Sequence, residues 1–195
     1  MSAVASQITT RSETAASLRN LYFTRAAVSA VWVALVLVVA SGVTTASVPT
    51  TAAIVLLTIY PLWDAVAVFL DARATRNAPS HLAQYLGIAV SLAATAGVLI
   101  ALGIGLTAAL IVFGVWASLS GAIQLFLALR RRRSIGGQWP MIISGGLSVL
   151  AGISFILTAS APRTGLTTLA GYSAFGAFWY LVGAIWLAVA GRRKA

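Results

Sequence analysis

Three carboxylates (Glu13, Asp64, Asp71) and one histidine (His81) are all that this chain offers for acid–base or metal chemistry, and it has no cysteine. Asp64 stands apart. The nearest charge before it is Arg25, and it lies nine residues ahead of Arg73, about 13 Å along a helix. If the apolar run around it crosses a bilayer, the carboxylate sits well inside. Holding it there costs about 2.5–3.5 kcal/mol even on lenient insertion scales, so such a residue marks a site by default. Pro61, one turn earlier, removes an amide hydrogen and frees the carbonyl of Leu57, which suits a kink or a water site. Counting depth along each apolar segment brings Ser91, Ser120, Ser148 and Tyr180 to the same layer. The expected site is therefore an intramembrane polar cluster of Asp64 with these four hydroxyls, able to hold water and a proton. Two roles fit it. As polar glue between helices, Asp64 would be protonated or bonded to a hydroxyl, and asparagine would serve as well; as a coupling group, it would titrate.

Other arrangements do not reach a known chemistry. Asp71-Ala72-Arg73 matches part of the D-G-x-x-A-R signature of CDP-alcohol phosphotransferases but lacks the paired downstream aspartates. Asp64 and Asp71 lie two turns apart on one helix, whereas an intramembrane aspartyl protease needs them on facing spans. Ser120-Gly121 follows Leu119 and Ser118 rather than the glycine of a rhomboid-like G-x-S-G site. His81 sits beside Pro79 at the edge of an apolar segment with no second ligand near it in sequence. No enzyme, cofactor or metal is expected.

The elements that must position Asp64 follow from composition. Of 195 residues, 60% are hydrophobic and 8% charged, with mean hydropathy +0.97. A soluble domain carries about 25% charged residues, so this chain cannot coat a water-exposed surface. The net charge of +10 is no nucleic-acid signal, because the basic residues stand between long apolar runs instead of on a solvated face. A span needs about 20 residues. The two longest uncharged intervals must each be cut, at Ser41–Thr51 and Gly103–Thr107. Six spans result, near 24–43, 51–71, 82–102, 106–129, 138–158 and 166–190. The first twenty residues are too polar and long for a cleaved signal peptide. They read as a cytoplasmic tail over 1–20, with Thr10 to Glu13 fitting a capping box and Leu18, Leu21 and Tyr22 on one face of a short interfacial helix. The six-span domain is expected over 21–191, and a basic tail over 192–195.

Of the thirteen basic residues, all but Arg163 fall on one side of this arrangement. The positive-inside rule then places both termini in the cytoplasm. Arg130, Arg131, Arg132 and Arg133, with Arg192, Arg193 and Lys194, are expected among anionic lipid headgroups at about 1 kcal/mol per charge.

The spans pair into three hairpins, about 21–73, 82–130 and 138–192, whose second members end alike: WDAVAVFLDAR, SGAIQLFLALR and VGAIWLAVAGR. Asp64, Gly121 and Gly183 align, each nine residues before an arginine; first spans carry Ser29, Ser91 and Ser148. A two-helix repeat explains this. Small residues recur at fourfold spacing (Gly114, Ser118, Ala122; Ser144, Ser148, Gly152; Ala93, Gly97, Ala101). With Gly121, Gly145 and Gly183 they predict close helix packing, and such stripes also allow a homo-oligomer.

Trp116, Ser120, Gly121 and Gln124, then a basic turn, then Trp139, Gly145, Leu147, Ser148 and Gly152 give W-x-x-x-S-G-x-x-Q followed by W-x-x-x-x-x-G-x-L-S-x-x-x-G. In these motifs the chain resembles the HdeD-like membrane proteins, over about residues 21–192 and most closely from Phe113 on. Tyr60, Pro61, Trp63 and Asp64 depart from the pattern. The resemblance implies a six-span bacterial inner-membrane protein linked to acid or envelope stress, and no catalytic mechanism. The expected fold is an all-α polytopic membrane protein of three hairpins. Its expected function is non-enzymatic support of the envelope under acid or related stress, and the alternative is a small proton- or cation-coupled transporter or channel using Asp64.

Overall fold

The computed structural model describes residues 2–42, 50–76, 78, 80–135, 137–161 and 165–192, with side chains except at 2–11, 42, 191 and 192. Among these residues there are six helices and no strand: α1 (Ser2–Gly42), α2 (Thr51–Ala74), α3 (Leu82–Ile104), α4 (Leu106–Arg131), α5 (Trp139–Thr158) and α6 (Leu166–Arg192). Each is long and apolar enough to cross a membrane. Leucine, isoleucine, valine and phenylalanine are exposed along every helix. In water this surface would be a liability; in lipid it is the required one.

Local chemistry sets the helix ends. The Thr50 hydroxyl caps α2 by accepting from the Ala53 amide at 3.2 Å. Pro140 lies in the first turn of α5, where a missing amide hydrogen is harmless. A single residue, Gly105, joins α3 to α4 with φ +148°, a backbone region open in practice to glycine alone. Pro61 lies buried inside α2, which continues through it. The Trp32 indole donates to the Leu56 carbonyl at 2.8 Å, one residue before the acceptor that Pro61 leaves without its helical donor.

α1 runs without a break through the expected 20/21 boundary. Thr10 to Glu13 therefore lie inside a helix rather than at its start. Leu18, Leu21 and Tyr22 share a face, as the sequence indicated, but that face packs into the protein. This lengthening matters for the site, because it carries Arg25 well inside the helix.

The helices form a closed ring in chain order, with α6 packed back on α1. Each helix packs more closely on its neighbour from the next hairpin (α2 on α3, α4 on α5, α6 on α1) than on the partner within its own. The α4–α5 contact is the tightest, and glycine makes it so. A Cβ on Gly121 would lie 2.7 Å from Ser148 Cβ and 2.8 Å from the Gly145 carbonyl. One on Gly114 would lie 2.7 Å from the Gly152 carbonyl, and one on Gly145 would lie 2.7 Å from the Leu125 amide. At Gly152 it would strike the Gly114 carbonyl and Ser118, whose hydroxyl bonds the Val149 carbonyl at 3.4 Å. The small-residue stripes of α4 and α5 thus meet each other within one chain. Gly183 faces Met141 and Tyr22 at ordinary to tight distances, and Gly97 faces Val112 across the α3–α4 hairpin.

The core divides along the ring axis. Trp32, Val36, Leu57, Val98, Leu102, Leu110, Phe113, Phe155 and Leu169 fill the half away from the arginine clusters. A smaller cluster of Leu18, Tyr22, Ala26, Met141, Tyr180, Ala184 and Leu187 lies in the basic half, confined to α1, α5 and α6 with Ala128 of α4. On the α2 and α3 side of that half, polar groups take over.

Candidate functional site

Asp64 and Asp71 are seven residues apart on α2 and so share one face, turned into the ring and 8% exposed each. Each meets an arginine. Arg25 of α1 pairs with Asp64 through Nη2. Arg131 of α4 grips Asp71 with both terminal nitrogens, Nη1 to Oδ1 at 2.7 Å and Nη2 to Oδ2. Two-pronged geometry of this kind is the strong form of the charge-assisted hydrogen bond.

The second oxygen of Asp64 accepts from Ser91 Oγ at 2.8 Å, and that hydroxyl accepts in turn from the Trp116 indole at 3.1 Å. One network therefore joins α1, α2, α3 and α4. The Arg25 guanidinium lies 4.5 Å from the centre of the Tyr180 ring, a cation–π contact that helps a desolvated charge. Tyr180 donates to Gln124 Oε1 at 2.8 Å, and the Gln124 amide donates to the Met141 carbonyl at 3.4 Å. Closer to the basic end, Tyr22 donates to Gln138 Oε1 at 3.4 Å and Gln84 donates to Thr75.

These groups surround a cavity of about 100 Å³ to which all six helices contribute. Its walls include Arg25, Asp64, Ser120, Gln124, Tyr172 and Tyr180, with Asp71, Arg131 and Gln138 at the basic end. A volume of this size takes several waters or a small polar group. Its floor is aromatic. Tyr60 stacks at 4.3 Å on Trp32 and meets Trp116 edge-on at 5.7 Å, while Phe113 meets Trp116 at 5.4 Å. Below that floor lies the apolar half of the core, so the cavity runs from the basic end to about mid-span and stops.

Of the five residues expected to cluster, Asp64, Ser120, Ser148 and Tyr180 line the cavity, and Ser91 touches it through Asp64. Their roles differ. Ser148 accepts from Tyr172 at 3.2 Å. The Ser120 hydroxyl is buried with no protein partner among the described residues. Asp64 bonds a hydroxyl, that of Ser91, as the polar-glue expectation allowed, and the Arg25 guanidinium also sits against it.

The arginine run also divides. Arg130, Arg132 and Arg133 are exposed, Arg130 over the Phe126 ring. Arg131, expected with them at the headgroups, turns inward instead, since its position on α4 faces Asp71. Arg192 ends α6, and Arg193 and Lys194 lie outside the described residues.

Arg25 and the Asp71–Arg131 pair were missed in the sequence. Their signal was there: two aspartates seven apart must share a face, and the apolar face at Leu18 to Tyr22 already placed Arg25 inside a longer helix.

No curated protein matches this chain, and no solved structure does. The chain is a multi-pass integral membrane protein, and its residues 85–157, from α3 through α4 to the end of α5, match the family described as a short repeat of unknown function (DUF308).

Proposed function

We propose that this is a non-enzymatic bacterial inner-membrane protein of the HdeD-like kind. Both its ends lie in the cytoplasm, and its ring of helices binds a small polar group in the central cavity as a step in moving or sensing the molecule that carries it. The observation that carries the reading is the cavity itself. It reaches Asp64 from the basic end, draws walls from all six helices and presents the Ser120 hydroxyl without a protein partner. A polar space of this kind holds water that a solute of matching polarity can replace. Both buried carboxylates are engaged by arginine, which supports the non-enzymatic reading. The resemblance supplies the setting, acid or envelope stress. Arg130, Arg132 and Arg133 would meet anionic headgroups at the cytoplasmic face.

The test fills the cavity. Ser120→Leu adds three carbons at the cavity wall. In a deletion strain carrying the variant, survival after acid challenge should fall to that of the deletion, while the purified protein keeps its melting temperature. Full survival with a stably folded Ser120→Leu protein would refute the reading.

A further inference from the structure

The cavity has a side wall that differs from the others. Between α5 and α6, the loosest adjacent pair in the ring, a groove of about 420 Å³ runs along the outer surface. Leu147, Leu150, Ala151, Phe155 and Phe175 give it its apolar lining, and Leu150 and Phe175 are exposed to whatever surrounds the protein. For a helix in mid-span that surrounding is lipid tail.

Four residues belong to both spaces: Ser144, Ser148, Tyr172 and Gly176 line the groove and the central cavity alike. One hydrogen bond bars the way between them, from Tyr172 Oη to Ser148 Oγ at 3.2 Å. Gly176 offers no side chain to the seam, and a Cβ there would meet nothing within 4 Å. When this Tyr–Ser pair parts, each hydroxyl can turn to a ligand oxygen instead.

We propose that the cavity is loaded sideways from the bilayer, through the α5–α6 seam, with a single-chain amphiphile bearing a small acidic head. The head, a carboxylate or a phosphate, lies in the cavity beside Arg25, and the acyl chain lies in the groove. Three observations point to this chemistry. Arg25 gives Asp64 one nitrogen and keeps other guanidinium donors for a second acceptor. The hydroxyls of Ser120 and Tyr172 line the same space. The cavity has room for a small acidic head. The direction agrees as well: the cavity lies toward the basic end and the groove extends from Ser144 away from it to Phe155 and Thr168. A lipid of the leaflet at the basic end points its head and tail that way. This inference rests on the cavity being a binding site and adds what binds and by which route.

The experiment uses the full chain in nanodiscs with two photoreactive, alkyne-tagged probes, a fatty acid and a lysophosphatidic acid, each with a diazirine in the chain. Cross-links should map to α5 and α6 peptides around Leu150 and Phe175 and be competed by the untagged amphiphile. Ala151→Trp, which blocks the groove, should lower labelling at least tenfold. Leu99→Trp, on the lipid face of α3, should leave it unchanged. Labelling by one probe alone identifies the head as carboxylate or phosphate. Labelling spread evenly over all lipid-facing helices, or untouched by Ala151→Trp, overturns the proposal. So does labelling lost in Ala151→Trp but kept in Ser120→Leu, since the head would then lie outside the cavity. If Ser120→Leu abolishes acid survival while Ala151→Trp preserves it, the cavity stands as a site and the lateral route falls.

Discussion

Replacing Asp64 by asparagine keeps the size and one hydrogen bond to Ser91 but leaves the Arg25 guanidinium facing an amide. The two side chains are 15% and 11% exposed, too little for water to replace the lost partner fully. Breaking a buried pair from one side costs about 3–5 kcal/mol, most of it the penalty of the remaining charge. The adjoining cavity hydrates part of the guanidinium, so the lower end, about 3 kcal/mol, is expected. For a chain of this length that is a fall of about 6–12 °C in melting temperature. The control is Asp64→Asn combined with Arg25→Gln, which removes both charges and leaves two neutral groups able to bond each other. It should recover about 2 kcal/mol of the loss, a coupling within the range for residues in direct contact. The assay is thermal unfolding of the purified protein in detergent. Asp64→Asn at wild-type stability would refute the argument, and so would a double variant no better than the single one.

The α4–α5 contact predicts that Gly152→Ala lowers the melting temperature, since the new methyl meets backbone on α4, where overpacking costs about 1–3 kcal/mol. Gly171→Ala, where a Cβ meets nothing within 4 Å, should be neutral or stabilising by up to about 1 kcal/mol; equal effects at both sites in the same thermal assay would show that α4 and α5 are not in contact. Arg131→Gln should destabilise the protein while Arg132→Gln does not, because only the first has Asp71 as its partner; matched losses would return Arg131 to the lipid surface. Single cysteines at Ser134 and Ser160 should react with an impermeant thiol reagent from opposite sides of the membrane, Ser160 from outside the cell, and labelling of Ser134 from outside would invert the topology.

Most of the fold was legible because a bilayer writes it in plain terms. Uncharged intervals long enough for a span, broken at Gly105 and before Thr51, placed α2 to α6 and the end of α1 to within a few residues, and the glycine spacing at 114, 121, 145 and 152 marked a close contact. The sequence could not say that α4 packs on α5 while α6 returns to α1, since small residues mark a face without naming what covers it. Asp64 was found because an acid inside a span is rare. Its partner was not, because arginine near a span end has a simpler use as a topology marker. The face at Leu18 to Tyr22 signals a longer helix, and the extent of α1 shows that Arg25 lies well inside it. Arg131 was hidden among three like neighbours, and helical phase, not composition, selects it.

The central claim is that a water-accessible polar cavity enters the ring from the basic end, reaches the Asp64 layer and stops at the aromatic floor. The chain has no cysteine of its own, so one thiol reports alone. Ser120→Cys lies on the cavity wall, and Ala117→Cys lies one turn away in the closed core. Measured in sealed vesicles of each orientation with a small charged methanethiosulfonate, Ser120→Cys should react from the face that carries Arg130, Arg132 and Arg133, and Ala117→Cys from neither. A Ser120→Cys thiol that stays unreactive in the folded protein, or reacts equally from both faces, would contradict the account.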